Sequence, residues 1–209
     1  MVSRQQSPLK VTVVDLDGTY LLCNSLELYL KNALSHAARH LRLDLVARIL
    51  TLFVLRRLRL ISHETMKYRA IAAAGDSPEM LASFQRLAKQ QINPTVAEFI
   101  EDRRKEGDAI LLATAAAECY VPLIWHGEYI ASPMGGPDCR RERKKDAVAR
   151  WTTAHNAHIS YFLTDHREDL PLARYAAEKG GKVMLVNPSP KSHAVFDKEL
   201  PSNSILSLS

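Results

Sequence analysis

The run Lys10-Val11-Thr12-Val13-Val14 is short, apolar and β-branched, and it ends on Asp15-Leu16-Asp17-Gly18-Thr19. Its composition is that of a buried strand. A core strand has no structural use for two carboxylates at i and i+2 on its carboxyl end. Like charges repel there, and both lose hydration unless a cation lies between them. In open α/β sheets, that end of a strand is where ligands bind. The stretch predicts a metal-assisted site in which one carboxylate attacks and the other handles a proton.

The rest of the chain supplies the sheet that such a strand needs. Residues 25–74 read as helical almost throughout, with no Gly or Pro before Gly75. Ser77-Pro78-Glu79 resembles a helix start, Asn93-Pro94-Thr95 breaks that helix, and Pro94 opens another to about residue 106. Residues 109–113 form the next strand, ending at Thr114. Ala115-Ala116-Ala117 is read as a turn and residues 118–125 as a helix. A loop over 127–138 holds a short strand at 129–131, and a helix follows over 140–154. Strands at 158–163 and 182–186 flank a helix over 170–179. The Pro- and Ser-rich end from Pro188 is expected to be peripheral.

Strands alternating with helices predict an α/β fold, a Rossmann-like parallel sheet with helices on both faces. Residues 1–20 and 94–209 would form this core, and 21–93 a helical insertion. At 209 residues and 46% hydrophobic, the chain can bury such a core without disulfides. Cys23, Cys119 and Cys139 are odd in number and unpaired in spacing, which favours a reduced, cytoplasmic protein. The polar start, residues 1–8, lacks the apolar core of a signal peptide. A net charge of +5 favours an anionic partner but is too mild to imply nucleic acid.

Three strands end in polar residues at one edge of the sheet: Asp15 and Asp17, then Thr114, then Asp165. Lys144 opens the helix before the third, and Asp169 lies four residues beyond Asp165. Each has a bland reading alone, Thr114 as a turn hydroxyl and Asp169 as an acid favoured by a helix dipole. Their order resembles the haloacid dehalogenase-like (HAD) superfamily. Asp15-Leu16-Asp17-Gly18-Thr19 is similar to its first motif, and Leu111-Leu112-Ala113-Thr114-Ala115 to its second. A Lys supplies the third, and Thr164-Asp165-His166-Arg167-Glu168-Asp169-Leu170-Pro171-Leu172 the fourth. The insertion resembles the family's α-helical cap. The last motif resembles the branch holding phosphoserine phosphatases and phosphatidylglycerophosphatase C, and also the HAD-type domain fused to some prenyltransferases. Two departures stand out: a short segment between Thr114 and Lys144, and His166 with Arg167 where smaller residues are usual.

The resemblance implies a Mg²⁺-dependent phosphatase acting on a small-molecule phosphate monoester through an aspartyl-phosphate. Asp15 would be the nucleophile and a metal ligand, kept ionised by Mg²⁺ and Lys144. Asp17 would bind the metal through its backbone carbonyl, leaving its carboxyl as general acid and base. Asp165 would be a metal ligand, Asp169 would support the metal or its waters, and Thr114 would hold phosphoryl oxygens. An acid at Asp17 favours ester hydrolysis over dehalogenation, which has no leaving oxygen to protonate. Lys144 is preferred to Lys145 because Ala147, Val148 and Trp151 then fall on the following packed helical face.

The insertion is basic: Lys31, Arg39, Arg42, Arg48, Arg56, Arg57, Arg59, Lys67 and Arg69 against Asp44 and Glu64. Two readings stand side by side, a solvated face or a surface lying against anionic lipid, with residues 41–61 peripheral to the membrane. An enzyme for lipid phosphates, or a membrane-surface or partner-binding module on a vestigial core, is the alternative function. Asp44, Arg48, Arg56 and Arg57 interrupt any membrane span. His36, His40 and His63 lack a third ligand and read as surface or packing residues, and Trp125 and Trp151 as core.

Overall fold

The computed structural model describes residues 8–208. The polar start lies outside that range except for Pro8. Six strands form one parallel sheet: β1 (Leu9–Val14), β2 (Ala109–Ala117), β3 (Glu128–Ser132), β4 (Ala157–Thr164), β5 (Lys182–Val186) and β6 (Ile205–Leu208). Their order is β3-β2-β1-β4-β5-β6. The chain leaves β1 toward β2 on one side and returns to β4 on the other. That reversal opens a crevice at the carboxyl ends of the central strands.

Alternate side chains of each strand feed two separate cores, as a pleat of period two requires. Val11, Val13, Leu111, Ala113, Val183 and Leu185 pack with α6 (Glu142–Ala154), α7 (Leu170–Glu178) and α8 (Pro190–Glu199). Val14, Leu112, Met184 and Val186 face the other way, toward α5 (Pro94–Lys105) and the insertion. Helices therefore cover both faces of the sheet.

Between β1 and α5 lie α1 (Ser25–Arg39), α2 (Leu43–Arg57), α3 (His63–Ala74) and α4 (Pro78–Lys89). Asn24, Ser62 and Ser77 cap α1, α3 and α4 by accepting from backbone N–H groups of the first turn. The stretch read as one helical run breaks twice without Gly or Pro. Leu41 and Arg59 adopt φ of 53° and 61°. Each break is closed by a hydrogen bond five residues back, Arg42 N to Ala37 O at 2.8 Å and Leu60 N to Leu55 O at 2.9 Å. Glycine normally takes such left-handed positions, so composition gave no sign of them. At the base of the insertion, Leu22 N donates to Gln91 O and Asn93 N to Tyr20 O, both at 2.8 Å, tying its two ends together.

Three further expectations are corrected. Ala115-Ala116-Ala117 is no turn: β2 runs on to Ala117, which pairs with Ser132 after a register shift. The expected helix over 118–125 shrinks to one 3₁₀ turn, Val121–Leu123, with Pro122 at its start. Tyr120 and Val121 beside it are fully buried, so apolar burial outweighs helix extension. The segment after Pro188 is not peripheral. α8 seats Phe196 in the second core at 0% exposure, and β6 extends the sheet beyond β5. Trp125 is buried as expected, while Trp151 packs only partly buried against the second core.

Candidate active site

β1 delivers Asp15 directly from its last residue, and Leu16, fully buried in the first core, pins the turn that follows. Gly18 has φ of +80°, and a Cβ there would come within 2.3 Å of Asp165 Oδ2. This position needs glycine for both reasons, and the close approach seats Asp165, just past β4, against the turn that carries Asp15 and Asp17.

Lys144 lies in the first turn of α6 and is 3% exposed. Its Nζ donates to Asp15 Oδ1 at 2.7 Å and reaches Asp169 Oδ1 at 2.6 Å. Asp169 opens α7 and also accepts from Thr164 Oγ1 at 2.9 Å. Lys145 points elsewhere, pairing with Glu142 at 2.5 Å and Asp146 at 3.3 Å on the surface. Thr114 Oγ1 accepts from Ala116 N at 3.0 Å, shaping the end of β2. Asp17 stands apart from the lysine cluster, its Oδ1 accepting from Ser25 N at 2.8 Å at the start of α1.

Asp15, Asp17, Thr114, Lys144, Asp165 and Asp169 line one cleft of about 560 Å³. The insertion supplies more of its wall than expected. Arg56, His63 and Lys67 line the same cleft, as do Asp138, Arg140 and His166. Lys67 does not belong to a solvated basic face. It is 3% exposed and donates to Asp138 Oδ1 at 2.5 Å and to Ala115 O at 2.7 Å. Tyr68 OH donates to the same Asp138 oxygen at 2.9 Å. A signal for Lys67 was present in the sequence: it shares a helical face with Ala70, Ile71 and Ala74, where a lone lysine needs a partner. Arg56, His63 and Asp138 carried no such pattern. The rings of His36 and His40 lie 4.4 Å apart, tilted by 47°, and His36 Nε2 lies 3.3 Å from Ser77 Oγ.

Electrostatics follow from this crowding. Burial works against the Lys144 ammonium, yet Asp15 and Asp169 outweigh it and hold the group charged well above the usual lysine range. Burial pushes the Asp15 carboxyl up, against the pull of Lys144 and with the repulsion of Asp169. Asp17 is likewise raised by burial, opposed by its bond from Ser25. Asp165 is pushed up to about 6, chiefly by burial, with His166 lowering it and Asp169 raising it.

Four carboxyl groups thus face one ammonium at the floor of the cleft, an excess of negative charge that a hard divalent cation would relieve. The donors are all oxygens, as Mg²⁺ prefers. Among the described residues, no three His, Cys, Asp or Glu side chains converge as a self-sufficient metal cage. A cation that keeps several waters does not need one.

The model of the haloacid dehalogenase-like hydrolase family, HAD, matches residues 12–174. The chain belongs to this family. As a HAD hydrolase it shares its fold with a protein of unknown function from Bordetella pertussis Tohama I, at 18% identity and a TM-score of 0.71, covering 97% of this chain and 99% of that one. A phosphoserine phosphohydrolase-like protein from Francisella tularensis aligns at 15% identity with a TM-score of 0.58, covering 92% and 95%. A phospho-aspartyl intermediate analogue of phosphoserine phosphatase aligns at 12% and 0.55, covering 90% and 91%. These likenesses establish the HAD fold. No curated protein matches the sequence closely.

Proposed function

We propose that this HAD hydrolase is a phosphatase that cleaves a small-molecule phosphate monoester through an aspartyl-phosphate on Asp15. The observation that carries the reading is the buried contact of Lys144 Nζ with Asp15 Oδ1 at 2.7 Å, in the cleft shared with Asp17 and Asp165. A solved relative in the form of a phospho-aspartyl intermediate analogue supports it.

Mg²⁺ would be held by the carboxylates of Asp15 and Asp165 and the backbone carbonyl of Asp17, with Asp169, itself bonded to Lys144 and Thr164, supporting the metal or its waters. When bound, it would supply charge neutralisation for the phosphoryl oxygens. Asp15 attacks phosphorus, and the bond to the leaving oxygen breaks. That oxygen takes the proton of Asp17, a carboxyl that burial equips to hold one. Asp17, now ionised, accepts a proton from water as the water attacks phosphorus and the Asp15–phosphorus bond breaks. Inorganic phosphate leaves and Asp15 is restored. Lys144 and Thr114, with backbone N–H groups near Leu16 and Ala115, hold the phosphoryl oxygens.

Residues 21–93 act as an α-helical cap on a core of 1–20 and 94–209. The paired strands of chain at Tyr20–Leu22 and Gln91–Asn93 support those limits, and Arg56, His63 and Lys67 would give the cap a hand in substrate choice. The test is release of phosphate from an aryl phosphate by Asp15→Asn. A loss of at least about a thousandfold, with the fold intact, is expected of a deleted nucleophile. Turnover equal to that of the parent refutes the reading.

A further inference from the structure

The helix α2 is apolar on both sides. Leu45, Ile49 and Leu52 are buried against the neighbouring helices. Leu43, Leu50, Val54 and Leu58 recur at i, i+7, i+11 and i+15, a single stripe along the opposite side. These four are 51–69% exposed. Leu41 and Leu60, in the turns at the two ends, are more than 60% exposed as well. Seven of the twelve large apolar side chains exposed among the described residues lie between Leu41 and Leu60, so the stripe is a concentrated patch and not the scatter normal for a protein surface.

Charge decides what can cover it. Residues 39–59 contain Arg39, Arg42, Arg48, Arg56, Arg57 and Arg59 and a single acid, Asp44, which Arg42 already engages at 3.3 Å. A second copy laid on this stripe would bring two arginine clusters together. An anionic planar surface is attracted by the same arginines, whose long apolar stems let the guanidinium groups reach phosphate level while the leucines descend. No helix among the described residues is long and apolar enough to cross a membrane, so contact would be lateral.

We propose that the outer face of α2 docks this protein on an anionic lipid bilayer. Arg56, at i+4 from Leu52 and i+7 from Ile49, lies on the inner side of α2 and lines the cleft, so docking through the opposite stripe leaves the cleft unobstructed. The proposal stands independently of the catalytic reading, since Leu50, Val54, Arg57 and Arg59 do not line the cleft.

The test is co-sedimentation of the full chain with vesicles of phosphatidylcholine, with and without phosphatidylglycerol. Binding to the mixed vesicles that weakens with added salt is expected. Leu50→Gln/Val54→Gln should bind at least about tenfold more weakly through loss of apolar contact. Arg57→Gln/Arg59→Gln should lose about thirtyfold, at roughly fivefold per arginine. Both variants should keep the parent's circular dichroism and its activity on a soluble ester. Equal binding to neutral and anionic vesicles, or parent-like binding by either variant, overturns the proposal. So does self-association that Leu50→Gln/Val54→Gln abolishes without any vesicle binding, which would assign the stripe to a second copy.

Discussion

Removing a charge from the candidate metal site should make the metal-free protein more stable. Asp165 has its pKa pushed up to about 6 from an ordinary 3.8, first by burial. The folded protein therefore binds that proton more tightly than the unfolded chain does. Stability from this group is fully present below about pH 4 and is lost as pH rises through about 6. An interval of about two pH units at ~1.4 kcal/mol each sets an upper bound near 3 kcal/mol. Partial solvent access trims this to about 2 kcal/mol. Asp165→Asn keeps the shape and omits the charge. In a chelator above about pH 7 it should melt about 4–8 °C higher than the parent, at ~2–4 °C per kcal/mol for a domain of this size. The gain should vanish below about pH 4, where the parent is protonated too. Mg²⁺ should raise the melting temperature of the parent and leave that of the variant unmoved. A variant that melts at or below the parent in chelator at neutral pH refutes the account of the cleft as a place of unrelieved negative charge.

Lys67→Met strands the buried Asp138 carboxylate and should cost about 3–5 kcal/mol; the double variant with Asp138→Asn should recover part of that loss in urea denaturation. Phe196→Ala should cost about 3–5 kcal/mol by emptying a site in the second core, and a loss under about 1 kcal/mol would mean that α8 is not integral to the fold. Leu41→Gly relieves a left-handed leucine and should stabilise by roughly 0.5–1 kcal/mol, read as a rise in the urea midpoint.

Five of the six strands were legible because they are short apolar runs that end in punctuation, while β6, in a Pro- and Ser-rich end, was not. Lys10 to Val14 stops at an acid, and residues 158–163 stop at Thr164-Asp165. The floor of the cleft was legible for the same reason, since Asp15, Asp17, Asp165 and Asp169 sit in contiguous motifs beside those strand ends. The wall was not. Asp138 meets Lys67 across 71 residues, and only the folding back of the insertion brings them together. The extent of β2 was misread because alanine favours helix and is depleted in strands, so three in a row give no strand signal. Their fate is decided by partners, Ser132 Oγ donating to Ala115 O at 2.8 Å and Ala117 pairing with Ser132. The breaks at Leu41 and Arg59 escaped because side chains there accept a backbone conformation that glycine usually marks.

Ala115 contributes its carbonyl to two donors, Ser132 from the neighbouring strand and Lys67 from the insertion. The next residue, Ala116, has its amide committed to Thr114. A single peptide group at the tip of β2 is thereby a three-way junction for strand, strand and insertion. Swinging the insertion outward must first strip a cation from that carbonyl and leave a carboxylate stranded in a dry interior. Traffic through the cleft would then be governed less by hinge softness at its base than by how readily water can reach that one oxygen.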